Sequence, residues 1–165
     1  MWLLDARDSR LDERGLRRWA QELINYTAAS HSSRSHRYPY ELVACHSRPV
    51  GVDIERTEPF DASFFVSICT PSERAQQVDL DDLDDYAISL WASKEALAKA
   101  LGDAVAYDPR RLGSPMFWPD GRSGPWRAAS LPVPNGHSGW LCWQDASLAG
   151  DRETRSSPRC FSPDL

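Results

Sequence analysis

The sequence has no long apolar run and no basic stretch, and it contains only four cysteines. A membrane-spanning helix needs about 20 consecutive apolar residues, so we expect no membrane span. Residues 1 to 7 lack the basic and apolar regions of a signal peptide. The formal net charge of −5 over 165 residues argues against general nucleic-acid binding. We therefore expect one cytoplasmic domain that binds neither membranes nor nucleic acid.

Cysteine and histidine do not form a recognisable pattern in this chain. The four cysteines have no close pair, which favours reduced thiols over a disulfide framework or a zinc site. They are Cys45, Cys69, Cys142 and Cys160. The histidines show no helical or zinc-type spacing either. They are His31, His36, His46 and His137.

The residue pattern of the N-terminal third predicts a strand, a helix and then two more strands. Apolar spacing indicates a helix over residues 11–24, whereas the polar segment 26–37 has no periodicity and is expected to be a loop. The two later strands are expected at residues 41–45 and 50–55, joined by a tight turn. We expect these two strands to form an antiparallel hairpin.

The firmest predicted element is a helix over about residues 84–101 that ends at Gly102. A shorter helix is expected to begin after Thr70, which is followed by proline and then by glutamate, and to run to about Val78. Later prolines predict short strands joined by turns, with a closing strand at residues 139–143. The expected fold is α+β, a small antiparallel sheet packed on the long helix. Residues 1–143 are expected to form one domain and residues 144–165 a disordered tail.

Four charged side chains are spaced in a way that suits a metal and phosphate site. Asp53 and Glu55 leave one face of a strand, and Glu95 and Lys99 share one stripe of a helix. If the two elements pack together, three carboxylates can hold a divalent cation next to a lysine. The alternative is a set of solvated acids with an i,i+4 ion pair of about 0.3–0.5 kcal/mol. Spacing alone does not decide between these interpretations.

Four short motifs follow one another along the chain. They are Ser35-His36, Gly51-Val52-Asp53-Ile54-Glu55, Glu73 after Phe64-Phe65, and Trp91 followed by Lys94-Glu95 and Lys99. Their order resembles the 4'-phosphopantetheinyl transferase superfamily, which carries G-[IV]-D-x-E, F-x-x-x-E and W-x-x-K-E-x-x-x-K. The Ser-His pair is similar to that of the broad-specificity, Sfp-like branch. The resemblance covers about residues 35–102.

This resemblance implies an enzyme of the holo-[acyl-carrier-protein] synthase type. Such an enzyme moves the 4'-phosphopantetheine arm of coenzyme A onto a serine of an acyl or peptidyl carrier protein. The resemblance implies a Mg²⁺ ion that stabilises charge on the pyrophosphate. It assigns the metal to Asp53, Glu55 and Glu95, the general base to Glu73 or Glu95, the coenzyme A phosphates to Lys99 with Lys94, and the ribose phosphate to His36 with Ser35.

The chain also departs from the family pattern. Only about 50 residues precede Gly51, so by comparison with the family we expect a shortened N-terminal part, residues 1–34. The glycine-lysine-proline turn before the Ser-His pair has no counterpart, and G-x-G-L after the helix is replaced by residues 102–105. One explanation is a homo-oligomer that completes the pocket between subunits. Another is a scaffold that keeps the metal residues but no longer binds coenzyme A well, as in an impaired member that only binds carrier proteins. A separate alternative for the function is a different metal-dependent phosphoryl or nucleotidyl enzyme that shares these acids.

Overall fold

The computed structural model describes residues 1–76 and 83–145, which form helices and short antiparallel strands. The strands are β1 (Trp2–Asp5), β2 (His31–Arg37), β3 (Tyr40–His46), β4 (Val50–Arg56), β5 (Arg122–Ser123), β6 (Trp126–Leu131) and β7 (His137–Gln144). The helices are α1 (Glu13–Thr27), α2 (Ala62–Ile68), α3 (Pro71–Arg74) and α4 (Leu83–Leu101), with 3-10 turns at Pro109–Arg111, Pro115–Phe117 and Pro119–Gly121. None of the described helices has the length and apolar character that crossing a bilayer requires.

The strands form two antiparallel sheets, with strand orders β1-β3-β2 and β4-β7-β6-β5. The α+β class is confirmed, but the expected β3–β4 hairpin is wrong. Strand β4 pairs with β7, from Val50 opposite Trp143 to Arg56 opposite His137. Strands β3 and β4 meet instead through apolar side chains, in a cluster that includes Leu42 and Val52. Both faces of β4 are buried, so it needs a layer on each side, and β3 belongs to one of those layers.

The segment expected to be a loop contains a strand. Residues His31–Arg37 form β2, which pairs with β3 from His31 opposite His46 to Arg37 opposite Tyr40. The strand has no apolar period because both of its faces carry polar side chains. Those on one face contact β4, and those on the other contact β3 and α1. Hydrogen bonds to neighbouring elements therefore take the place of apolar burial here.

Helix α4 was predicted correctly, and it packs closely on the second sheet. It ends before Gly102, whose φ of 80° is the left-handed conformation that favours glycine. At Gly51 of β4, an added Cβ would lie 1.9 Å from the Ala96 carbonyl oxygen and 2.5 Å from the Ala100 nitrogen. Only glycine lets strand and helix approach this closely. This approach brings the acids of β4 to the charged stripe of α4.

Helices α1 and α3 lie outside the contact between β4 and α4. Helix α1 begins after the cap Asp12 and packs on the first sheet through Leu16 and Ala20. Thr70 and Glu73 form the predicted capping box, but α3 ends at Arg74, and Val78 lies outside the described residues.

The C-terminal strand continues past the predicted end of the domain. Strand β7 runs to Gln144, one residue into the expected tail, and Asp145 forms an ion pair with Arg127 at 2.9 Å. The rest of that expected tail, residues 146–165, lies outside the described residues.

Candidate active site at the junction of β4 and α4

Asp53 lies at the centre of the junction and is contacted from two elements. Lys99 of α4 donates to Asp53 Oδ1 at 2.6 Å and to the Val52 carbonyl oxygen at 3.2 Å. Ser35 of β2 donates its hydroxyl to the same Oδ1 at 2.7 Å. The second oxygen, Oδ2, is buried and has no hydrogen-bond partner among the described residues. A buried acceptor in this state has unused capacity for a ligand.

Glu55 shares the face of β4 with Asp53 and is paired with Arg37 of β2. The Arg37 Nε donates to Glu55 Oε2 at 2.6 Å, and the second guanidinium nitrogen also contacts this oxygen. Burial and the nearby charge of Asp53 raise the pKa of Glu55 to about 7, although Arg37 opposes the shift. Glu55 therefore gains and loses its proton close to neutral pH.

Glu95 is the third carboxylate, and it extends from α4. The Tyr107 hydroxyl donates to Glu95 Oε1 at 2.6 Å. Burial is the largest cause of the raised pKa of Glu95, and the charge of Asp53 adds to it. Burial and the neighbouring Glu95 also raise the pKa of Tyr107, so its hydroxyl keeps the proton that it donates. Asp53 thus acts electrostatically on both flanking glutamates.

The three carboxylates provide the hard oxygen donors that Mg²⁺ binds. In residues 1–76 and 83–145, no three His, Cys, Asp or Glu side chains are arranged as a ready metal cage. Each acid instead has its own partner, Lys99, Arg37 or Tyr107. The free Oδ2 of Asp53 and the raised pKa values of both glutamates indicate that negative charge here is incompletely balanced. The donor set therefore fits a divalent cation, and these partners would have to yield to it.

Glu73 and Lys94 lie elsewhere, in a buried ion pair. Lys94 is 0% exposed and donates to Glu73 Oε2 at 2.6 Å, to the Ile68 carbonyl at 2.6 Å and to the Pro109 carbonyl at 2.8 Å. The backbone N–H groups of Thr70 and Ser114 donate to the Glu73 carboxylate, each at 2.7 Å. The pair therefore joins α2, α3 and the segment after α4 to helix α4.

This arrangement corrects two expectations from the sequence. Lys94 is not positioned to contact coenzyme A phosphates, because its ammonium group is enclosed and all three of its donors are used. Glu73 is not positioned to act as a base. Burial would raise the pKa of Glu73, but Lys94 and the two backbone donors outweigh burial and lower it.

Ser35 and His36 are separated by the alternation of β2. Ser35 contacts Asp53, whereas His36 Nε2 lies 3.1 Å from Glu13 Oε1 of helix α1. Adjacent residues of a strand leave opposite faces, so the two side chains do not act as one pair. Both nevertheless line a cavity of about 210 Å³. Its other lining residues are Arg17, Arg34 and Glu41.

A second cleft, of about 420 Å³, opens beside Glu55. It is lined by Arg37, Glu55, Arg56, Glu58, Phe60, Phe64, Ile88 and Trp91. The rings of Phe60 and Phe64 stack with centroids 4.5 Å apart. The carboxylates thus lie next to a cleft with both aromatic and charged walls.

Sequence reasoning missed three residues that shape these sites: Arg37, Tyr107 and Glu41. The role of Arg37 could have been predicted from alternation along the strand. Ser33, Ser35 and Arg37 occupy every second position of β2, and all three contact β4. Tyr107 follows α4 in an irregular segment, where no periodicity indicates its contact with Glu95.

Comparison with known proteins agrees with the motifs. The family model of the 4'-phosphopantetheinyl transferase superfamily matches residues 49–123. The 4'-phosphopantetheinyl transferase Sfp of Bacillus subtilis (strain 168) is 27% identical over 139 residues, which cover 81% of this chain and 59% of that protein. A further 4'-phosphopantetheinyl transferase of Bacillus subtilis is 26% identical over 125 residues, 74% of this chain and 53% of that protein.

The chain therefore spans little more than half the length of these curated relatives. The matched region contains both the β4 acids and the whole of α4. Motif order, fold and similarity agree: the chain is similar to the 4'-phosphopantetheinyl transferase superfamily and, within it, to the Sfp-like branch.

Proposed function

We propose that this chain transfers the 4'-phosphopantetheine arm of coenzyme A to a serine of an acyl or peptidyl carrier protein. One observation carries the proposal. At the β4–α4 junction Lys99 lies 2.6 Å from Asp53, and Glu55 and Glu95 flank that pair. The names of the two relatives support the same reaction. A cytoplasmic location and service to a fatty-acid, polyketide or peptide synthase are parts of this proposal.

The carboxylates would hold the magnesium ion in this proposal. Asp53 would bind through its free Oδ2, and Glu55 and Glu95 would join it after release from Arg37 and Tyr107. When bound, Mg²⁺ supplies Lewis-acid stabilisation of the charge that develops on the pyrophosphate. The raised pKa values of the two glutamates support this assignment, because a nearby cation would favour their charged forms.

Lys99 would neutralise charge at the reacting phosphate, and Glu95 would accept the proton of the serine. The Lys99 ammonium, which is only partly buried, would neutralise a coenzyme A phosphate as a point charge. Glu95 is the better candidate for the general base, because the structure places Glu73 in a buried pair. An ionised carboxylate at this position can accept the proton of a serine hydroxyl.

The cavity on the other face of β2 would hold the ribose phosphate. His36 lines it together with Arg17 and Arg34, so three potentially cationic groups surround about 210 Å³. Ser35 would contribute less directly, because its hydroxyl is committed to Asp53. Its role in the proposal is to orient Asp53.

The direct test is to incubate the chain with coenzyme A, Mg²⁺ and apo carrier domains and to weigh the carriers by mass spectrometry. We expect one carrier class to gain the mass of one phosphopantetheine arm. The matched control is Asp53→Asn, which keeps the shape and removes the charge. If no carrier gains mass, and coenzyme A does not raise the melting temperature, the transferase proposal fails.

A second candidate function is a catalytically impaired member that only binds carrier proteins. One observation favours it: each carboxylate of the site already has a partner. Carrier binding without any mass gain would support this alternative.

Sedimentation of the chain with and without coenzyme A tests whether a homo-oligomer completes the site.

A further inference from the structure

Glu41 lines the cavity proposed for the ribose phosphate, yet no motif includes it. The residue lies on β3 directly opposite His36 of β2, and it is only 1% exposed. Neither of its carboxylate oxygens has a hydrogen-bond partner within the described part of the chain. A buried carboxylate without donors is unusual, because ionised groups are costly to bury unless they are paired.

The charged groups around Glu41 lie close to its carboxylate but form no hydrogen bond with it. From β2, Arg34 Nη1 lies 4.0 Å from Glu41 Oε1, and His36 Nδ1 lies 3.7 Å from Glu41 Oε2. From α1, Arg17 lines the same cavity, and Glu13 contacts the far nitrogen of His36. The neighbour on β1 is the apolar Leu4. Three potential cations and a second acid therefore surround a carboxylate that has no hydrogen bond.

Burial determines how these groups titrate in the free protein. It raises the pKa of Glu41, while Arg34 and Arg17 oppose the shift. Burial also lowers the pKa of His36. A phosphate entering the cavity would add negative charge beside Glu41. Repulsion between the anion and an ionised Glu41 would weaken binding, whereas a protonated carboxyl would remove the repulsion and offer a donor.

We propose that anion binding in this cavity is linked to proton uptake at Glu41. As the ribose phosphate binds, the Glu41 carboxylate takes one proton from solvent, and its new hydroxyl donates a hydrogen bond to the anion. This inference rests on the proposed function, because it takes the ligand to be the ribose phosphate of coenzyme A. Glu41 then sets how the affinity for the anion depends on pH, and this affinity falls as pH rises.

The test uses adenosine 3',5'-bisphosphate, which carries the ribose phosphate without the pantetheine arm. Calorimetry would give its Kd for the full chain and for Glu41→Gln between about pH 6 and about pH 8.5. The glutamine variant mimics a protonated carboxyl at every pH. His36 titrates in both proteins, so its effect largely cancels in the ratio of the two Kd values. We expect the Kd of the unmutated chain divided by the Kd of Glu41→Gln to be near one at low pH. This ratio should rise by up to about tenfold per pH unit.

Two results with the Glu41→Gln variant would overturn the inference. One is a Kd ratio that stays constant with pH. The other is weaker binding by Glu41→Gln at all pH values, which would mean that an ionised Glu41 orients Arg34 and His36. Calorimetry of the unmutated chain in buffers of different ionisation enthalpy measures proton uptake directly. Zero uptake would also exclude the proposal, and this result does not depend on how the variant folds.

A His36→Gln variant separates this inference from the proposed function. We expect it to weaken binding of the bisphosphate. Unchanged binding would show that the anion lies elsewhere and would remove the Glu41 proposal. The transferase proposal is tested separately, by the mass gain of the carrier.

Discussion

Helix α4 carries two lysine–carboxylate pairs, and they differ in how completely their polar atoms are satisfied. Lys94 and Lys99 are the only lysines in the chain. Lys94 is 0% exposed, and the Glu73 oxygens also accept two backbone hydrogen bonds. Lys99 is 22% exposed, and its partner Asp53 keeps one buried oxygen with no partner in the described ranges. The comparison teaches that a satisfied buried pair holds elements together, whereas an incomplete pair remains available to ligands.

Replacing Lys94 by methionine should produce the largest loss of stability. The change leaves the Glu73 carboxylate buried without its cation, which costs about 3–5 kcal/mol. Urea unfolding measures this loss. The matched variant Lys99→Met should lose only about 1–2 kcal/mol, because the Lys99 side chain is 22% exposed and solvent already weakens its pair with Asp53. Equal losses would contradict the distinction between the two pairs.

Replacing Asp53 by asparagine should have its main effect on transfer. We expect phosphopantetheine transfer to fall by about 10²–10³-fold, the loss typical of removing one electrostatic contact at a reacting centre. The melting temperature should change little, because the amide keeps the shape of the carboxylate. Initial rates of carrier modification check this prediction. A variant with nearly full activity would remove Asp53 from the site.

Replacing Gly51 by alanine should disturb the contact that brings β4 to α4. The new methyl group would meet the Ala96 carbonyl oxygen at 1.9 Å, so strand and helix must separate. We expect a loss of about 1–3 kcal/mol, the usual cost of overpacking, together with slower transfer. Chemical denaturation and transfer rates check this. Gly113→Ala is the control, because an added Cβ there meets nothing within 4 Å.

Stability should also depend on pH through the carboxyl group of Glu55. The pKa of its carboxyl is raised to about 7 in the folded protein from an ordinary value of 4.5. Ionisation is thus disfavoured by folding, and Glu55 lowers the free energy of unfolding progressively as pH rises from about 4.5 to about 7.

The Glu55→Gln variant tests this contribution. Its free energy of unfolding, compared with that of the unmutated chain, should reveal the loss in this pH window. Replacing the exposed Glu58 by glutamine should leave the pH profile unchanged. If Glu55→Gln and the unmutated chain show parallel profiles, Glu55 titrates at its ordinary pH, and the carboxylate cluster is less strained than the structure indicates.

Much of the local structure could be predicted from the chain itself. Helix α4, its end at Gly102 and the capping box at Thr70 follow from nearby residues alone. The exclusion of Lys94 from the site was also within reach. Lys94 and Lys99 are five residues apart, which places them about 140° apart around a helix. The two lysines therefore could not both point at the same phosphate.

Other features required the packed molecule. The pairing of β4 with β7 joins segments about 90 residues apart in sequence, and no local pattern specifies it. Strand β2 could not be predicted because its order comes from hydrogen bonds on both faces rather than from an apolar period. The position of Glu41 beneath the cavity depends on the register of β2 on β3.

The sequence by itself determined the resemblance to the transferase superfamily, the long helix and the face of β4 that carries Asp53 and Glu55, because period and motif spacing are local properties of a chain. Only the tertiary structure decided which charges meet. It enclosed Glu73 with Lys94, joined Lys99 and Ser35 to Asp53, and left Glu41 and Asp53 Oδ2 without partners among the residues it describes. Charge compensation and burial depend on groups that are distant in sequence, so they are set when the elements pack.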